Sequence, residues 1–421
     1  MQPETHRRQP IHTVYGGAHL FKADTAARLG ATSLRALGEY APDAATLASV
    51  LAIAPDAADR VYARVKEKLQ REAVEDFRLD FEDGYGNRPD AEEDGHAQSA
   101  AVEVATAAKN GTLPPFIGIR VKNLGDELRE RALRTTSLFL ERLLKETGGR
   151  LPPNFVVTLP KITARSQVSA LVAAFAAIER SHALDAGALR MELMVETPYS
   201  IFDEHGLVSL PALVAEGGGR VVAAHFGTYD YTASLGVTAA HQHMRHQVCD
   251  FARGVMQVAL AGTGVWLSDG ATNVLPVPIH RAAAGQSLTS LQITENRTAV
   301  HRAWRLHCDD IRHSLTNAFY QGWDLHPAQL VTRYAAVYAF FLESLDAASE
   351  RLLNFIAKAA QATLVGEVFD DAATGQGLLN FFLRAVNCGA VPEEEIGALT
   401  GLTLDELRSG SFVKIVKGRR G

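Results

Sequence analysis

Cysteine is scarce in this chain: Cys249, Cys308 and Cys388 are the whole complement, odd in number, far apart and without a CxxC pair. That count speaks against a disulfide framework and a zinc knuckle, and a reducing, cytoplasmic setting is expected. Long apolar runs are missing as well. No stretch reaches the roughly 18 apolar residues that a membrane helix needs, and the polar start from Met1 to Pro10 has no apolar segment behind it. Neither membrane insertion nor a secretory leader is expected. An excess of positive charge is lacking too: 42 Lys and Arg stand against 48 Asp and Glu, a net charge of −6. Nucleic acid is therefore not expected as the main partner, and the basic end at Lys414, Lys417, Arg419 and Arg420 reads as a solvated terminus. No G-x-x-x-x-G-K-[ST] loop and no G-x-S-x-G elbow occur, which disfavours P-loop kinases and serine hydrolases.

What is present is an ordinary globular composition, 47% hydrophobic and 21% charged over 421 residues, enough to bury a large core. Short runs rich in Val, Ile, Leu and Phe fall at 13–15, 77–81, 116–121, 155–159, 191–195, 221–226, 265–267 and, more weakly, 323–325. Stretches of helical period lie between them, among them 57–75, 126–146, 165–181 and 245–261. Eight strands alternating with helices is the count that closes an α/β barrel, so a (β/α)8 TIM barrel over residues 1–330 is predicted. From 331 to 421 the pattern is helical only, with Tyr334, Tyr338, Phe341, Leu352 and Phe355 on one long amphipathic stretch. This C-terminal helical extension is too small to carry chemistry alone, and its apolar content suggests a lid or an oligomer contact.

The polar punctuation is more informative. Asp80, Arg120, Lys161, Glu196, Asp230 and Asp269 each end a predicted strand or follow it, at steps of 40, 41, 35, 34 and 39 residues. One step is one βα unit, so a closed barrel would bring all six to one mouth, where barrel active sites are built. The plain alternative is that strand ends are polar because loops begin there. Glu196 and Asp230 follow consecutive strands and could share one ion, since Mg²⁺ prefers oxygen ligands and keeps water and substrate oxygens beside one or two carboxylates. Arg120 offers a planar fork suited to a substrate carboxylate or a developing enolate oxygen.

These residues resemble the citrate lyase β-subunit and HpcH/HpaI aldolase superfamily. Leu79-Asp80-Phe81-Glu82-Asp83 is similar to its D-L-E-D segment. The arginine strand, Pro160-Lys161, Glu196-Thr197 and Phe226-Gly227-Thr228-Tyr229-Asp230 follow in the family's order, and Gly322 to Gln329 resembles its late G-x-x-x-I-H-P-x-Q signature. The resemblance spans roughly residues 77 to 330, with Phe81 in place of the common Leu and an unusually long stretch from Ser33 to Arg71. It implies Glu196 and Asp230 as ligands of Mg²⁺ or Mn²⁺, and Arg120 as the substrate and enolate contact. Glu82 and Asp83 would position Arg120 or a metal-bound water, and Asp80, Lys161, Gly227 and Thr228 would contact substrate. The implied activity is a carbon–carbon lyase or aldolase acting through the enolate of a small 2-oxo acid or a short acyl thioester. A malate-synthase-like condensing enzyme, a phosphoenolpyruvate-handling enzyme and a non-catalytic metal-binding barrel stay open. In the family a C-terminal segment of this kind packs over a barrel mouth, often a neighbouring subunit's, so a homo-oligomer is expected. For the base, Asp269 is the first choice and His19 the second.

Several features have blander readings. His241, His243 and His246 lack the i, i+4 spacing that puts two imidazoles on one helical face, which favours a structural or rim role. Lys161 could form an imine, but beside an arginine and two carboxylates it reads as an ion-pair partner. Gly16-Gly17 reads as a tight turn and Cys308 as core packing.

Overall fold

In the computed structural model, which describes residues 8–283, 285–361 and 372–419, eight parallel strands close into a barrel in sequence order. They are β1 His12–Gly17, β2 Asp76–Asp80, β3 Phe116–Arg120, β4 Phe155–Leu159, β5 Arg190–Val195, β6 Val221–Phe226, β7 Trp266–Ala271 and β8 Gln321–Asp324. β8 returns to pair with β1, His12 opposite Gly322 and Val14 opposite Asp324, which closes the cylinder. The expected TIM barrel is thus observed. The polar start as far as Arg7, and Arg420 in the basic tail, lie outside the described residues.

Strand alternation decides what faces the lumen. On β2, Phe77 and Leu79 pack outward in the core while Asp76, Arg78 and Asp80 point in. The inward set is unusually polar for a barrel, whose interior is ordinarily filled by branched apolar side chains. Arg78 reaches across to Glu192 of β5 with Nε 2.9 Å from Oε2, and it also pairs with Asp76. Thr158 donates to the same Glu192 oxygen at 2.8 Å, Thr13 donates to Asp76 at 2.8 Å, and Gln321 donates to Thr13 at 2.9 Å. One buried polar layer therefore links β1, β2, β4, β5 and β8 beneath the mouth. Each charge in it has a partner, the condition for burying it at tolerable cost.

The surrounding helices follow from apolar spacing. Arg165–Ser181 buries Val168, Leu171, Phe175 and Ile178 on one face. Ser290–Thr316 opens with Thr289, whose hydroxyl accepts from Gln292 N at 3.3 Å in a capping box. The long connection after β1 folds as three helices, Thr25–Tyr40, Ala44–Leu51 and Ala58–Arg71.

The expected domain limit at residue 330 falls inside the helix Gln329–Leu342, which packs against Ser290–Thr316 and Ala58–Arg71 as the barrel's last helix. That helix is buried on nearly every side because further helices cover its outer face. Those helices begin with Leu345–Gln361 and Ala372–Asn387. Arg384 donates to Gln9 Oε1 at 2.9 Å and stacks on Tyr320. Gln9 in turn donates to Leu267 O and Gln321 Oε1, both at 3.0 Å. Gln9, Tyr320 and Gln321 stand where strands begin, so the appendage closes the end of the barrel opposite the mouth.

Candidate active site

The segment after β2 is built around Asp80. Its carboxylate accepts from Glu82 N at 3.0 Å and Gly84 N at 2.7 Å, which folds the chain into a tight turn. A Cβ on Gly84 would stand 2.6 Å from Asp80 Oδ2, so the turn needs glycine there. The same carboxylate takes Arg120 Nε at 2.8 Å and Nη2 at 2.5 Å, a bidentate fork. Asp80 therefore has no capacity left for a ligand and holds Arg120, a correction to the expectation that it binds substrate.

Arg120 lies under that turn with its guanidinium 4.8 Å from the Tyr15 ring centre and 5.9 Å from that of Trp323. Tyr15 and Trp323 contact each other with ring centres 4.6 Å apart. Fixed by Asp80 and these two rings, Arg120 keeps Nη1 for other work; it stands 3.4 Å from Glu82 and 3.7 Å from Asp83. Neither aromatic was singled out as a site residue from the sequence. Strand parity could have found them, because Tyr15 lies two residues beyond Thr13 and Trp323 two beyond Gln321, on the same lumenal face.

Lys161 adopts φ +49°, and its backbone N donates to Glu196 Oε1 at 2.7 Å. Its ammonium bonds Glu82, reaches Asp83 at 2.9 Å and stands 3.9 Å from Asp230. Burial works against the charge on Lys161, yet Glu82, Asp83 and Asp230 outweigh it and hold its pKa above the ordinary lysine value. These ion pairs match the expected ion-pair role of Lys161. Burial raises Glu82 to about 7.

Glu196 is 1% exposed and its position depends on Gly227: a Cβ there would collide with the Glu196 carboxylate. Gly227 thus makes room for the acidic side chain. Thr228 is buried and donates to Met244 Sδ at 3.1 Å, with its hydroxyl seated over Gly270, so this hydroxyl faces the core and not the mouth. Asp230 lies in the first turn of the helix Thr228–Ser234. Burial pushes Glu196 up to about 8, with Asp230 adding to the effect and Arg120 pulling the other way. Burial and Asp83 likewise raise Asp230 against Lys161 and Arg120.

Among the described residues, the mouth thus gathers Asp80, Glu82, Asp83, Glu196 and Asp230 around Arg120 and Lys161, an excess of acidic groups. The chemistry of such a donor set is that of a divalent-cation site, in which Glu196 and Asp230 would be the oxygen ligands. Among the described residues no three His, Cys, Asp or Glu side chains converge as a complete metal cage. An ion here would complete its shell with water and substrate oxygens.

Asp269 is not part of this cluster. It points outward from β7, accepting from Arg253 Nη1 at 2.9 Å and from Ser314 Oγ at 2.6 Å, and is fully buried in the helical layer. That overturns its expected role as base: strand parity turns it away from the mouth. His19 stands closer. Its ring lies over Gly17, beside the Gly84 carbonyl. Burial and the neighbouring Arg88 and His96 lower its pKa. Of the histidine cluster, His246 caps the helix Gln247–Leu260 by accepting from Val248 N at 3.2 Å. Gln329 ties the turn after β8 together, accepting from Leu325 N at 2.7 Å and donating to Thr272 O at 2.9 Å.

No helix among the described residues is long and apolar enough to cross a membrane. No curated protein sequence matches the chain. Among solved structures, a citrate lyase from Burkholderia xenovorans LB400 aligns over 95% of this chain and 97% of its own, with 16% identity and a TM-score of 0.58. The magnesium/glyoxylate complex of Haloferax volcanii malate synthase aligns over 96% of this chain and 98% of its own, with 14% identity and a TM-score of 0.50. At such identities the likeness is one of fold, the level at which the resemblance read from the motifs is observed. With residues 3–415 matched by its family model, the chain belongs to DUF6986, a domain family of unknown function.

Proposed function

We propose that the chain is a divalent-metal-dependent carbon–carbon lyase or aldolase acting through the enolate of a small 2-oxo acid or short acyl thioester. The observation that carries this reading is the pairing of buried, raised Glu196 with Asp230, across the mouth from a guanidinium whose Nη1 is left over after Asp80 takes Nε and Nη2. A bound Mg²⁺ or Mn²⁺ would polarise the substrate carbonyl and stabilise negative charge on its oxygen. Glu196 and Asp230 would hold the ion. Arg120 offers Nη1 to the substrate carboxylate or enolate oxygen, in an orientation already fixed by Asp80, Tyr15 and Trp323, so little reorganisation opposes the reaction. Glu82 and Asp83 anchor Lys161, whose ammonium partly offsets the acidic cluster. His19, at the same mouth, is the proton acceptor in this reading. Magnesium and glyoxylate, which occupy the malate synthase of the same fold, are a metal and a 2-oxo acid of the kind this donor set suits.

The test is proton exchange in D₂O at the methyl groups of pyruvate and of acetyl-coenzyme A, with Mg²⁺ or Mn²⁺ and with chelator. Metal-dependent exchange of one substrate and not the other separates oxo-acid from thioester chemistry. Absence of exchange in both would sink the enolate proposal. Glu196→Gln and Asp230→Asn are each expected to abolish the exchange and leave the circular-dichroism spectrum and the melt intact; an active double variant removes the metal site.

A further inference from the structure

The end of the barrel opposite the mouth holds a cavity of about 240 Å³ that the lyase reading does not use. We propose that it binds a small oxyanion, a carboxylate or a phosphate, between the barrel and the appended helices. Its walls come from Arg8 ahead of β1, from Lys68, Arg71, Glu72 and Glu75 at the close of the helix Ala58–Arg71 and just beyond, and from Glu393 and Arg408 of the appendage.

Glu72 takes Arg8 on both oxygens, at 3.1 and 2.6 Å, and Lys68 at 2.5 Å. Glu75 takes Lys68 at 2.6 Å and Arg8 at 2.9 Å on one oxygen, and the backbone N of Ile11 at 2.9 Å on the other. The barrel-side carboxylates are therefore engaged at every oxygen. The cations are not. Lys68, only 5% exposed, spends its donors on Glu72 and Glu75 and stands over the Tyr334 ring, 5.4 Å from its centre, so the uncommitted donors lie on the arginines. Arg71 meets its nearest carboxylate, Glu67, at 3.7 Å, beyond hydrogen-bond range. Arg408 places only Nη2 on Glu393, at 2.6 Å. Arg71 and Arg408 thus keep N–H groups uncommitted to protein acceptors, while Glu393 gives one oxygen to Arg408.

Arg71 and Arg408 are exposed, and an anion seated between them would offer their N–H groups a charged acceptor in place of water. The negative end of the helix dipole, which would oppose an anion here, is already covered by Lys68 and Arg71 in the last turn. Four cations line the wall against three carboxylates, and the volume lies below the roughly 300 to 1,000 Å³ of drug-sized pockets. A small ion fits that space. Because the walls belong to two parts of the chain, binding clamps the appendage to the start of β1 and β2.

The test is thermal unfolding of the full chain in inorganic phosphate, in malonate and in sodium chloride at matched ionic strength. A saturable rise in Tm beyond the chloride control is expected. A response to phosphate alone identifies a phosphoester group, and a response to malonate alone a carboxylate. Arg71→Gln combined with Arg408→Gln should weaken the apparent Kd by about tenfold or more, since two charge-assisted donors are lost. Both side chains are well exposed, at 70% and 41%, so the variant folds. No rise beyond chloride, or an unchanged Kd in the double variant, overturns the proposal.

Discussion

Arg120 illustrates how much of this site is positioning. Asp80 takes two of its nitrogens and two aromatic rings face it, so a lysine at 120 would keep a charge but lose the fork. Arg120→Lys is expected to lower kcat by about 10²- to 10³-fold, the usual cost of one preorganised oxyanion donor, with metal affinity little changed. Steady-state kinetics beside metal titration checks this. Gly227→Ala drives a methyl into the Glu196 carboxylate and should abolish metal-dependent exchange while costing about 1 to 3 kcal/mol of stability. Asp269 is the opposite case. Asp269→Asn breaks a buried pair with Arg253, so a loss of about 3 to 5 kcal/mol in denaturant unfolding is expected, with the pH–rate profile of the folded fraction unmoved. A displaced profile would restore Asp269 as the base. The sequence made the ordered series of strand-end charges legible, and five of the six do share the mouth. It misleads at Asp269 because a strand end fixes height along the barrel, whereas parity fixes the face.

At the scale of elements, strand alternation explains both the polar lumen and a pH-sensitive seam between β1, β8 and their covering helices. His12 points outward from β1 and accepts from Glu75 N at 3.0 Å through Nε2, which requires a neutral ring. Burial lowers its pKa to about 4 against the pull of Asp324 and Glu75, with Arg333 and Lys68 acting in the same sense as burial. The folded value lies below the free value of 6.5, so the unfolded chain takes up the proton first. The stability that neutral His12 contributes is complete above about pH 6.5 and is lost as pH falls toward 4, about 3 kcal/mol in all. His307, buried against the same Asp324, is lowered as well and adds slope of the same sign. Urea unfolding at several pH values between 7 and 4.5 should show wild-type stability falling on acidification and a shallower fall in His12→Gln; identical slopes would discount the histidine. Helix positions were read from the sequence to within a few residues, as at Arg165–Ser181, because their apolar stripes are regular. The strand β8 was the weakest of the eight readings, since Gln-Gly-Trp-Asp offers no apolar run and is held by its neighbours.

For the molecule as a whole, the appended helices are best understood as the floor of the barrel. Nothing in the periodicity of residues 331 to 421 tells which end an amphipathic helix will cover; that is settled by Gln9, Tyr320 and Arg384 meeting where strands begin. The covered surface is apolar and aromatic: Phe341 packs on Phe381 with ring centres 5.4 Å apart, and Tyr338 and Phe341 are almost fully buried. Uncovering a large side chain costs roughly 1.5 to 3 kcal/mol. A chain ended after Leu342 therefore exposes several such residues at once and opens the lumen to water at its base. Loss of at least about 5 kcal/mol is expected, comparable with the whole stability of many domains. The truncated chain should bind a hydrophobic dye, melt well below the full chain or fail to stay in solution, even though every proposed catalytic side chain lies at the far end. A truncated barrel that melts like the parent and binds no dye would make the appendage an independent unit, and the oxyanion cavity at their junction would lose its structural purpose.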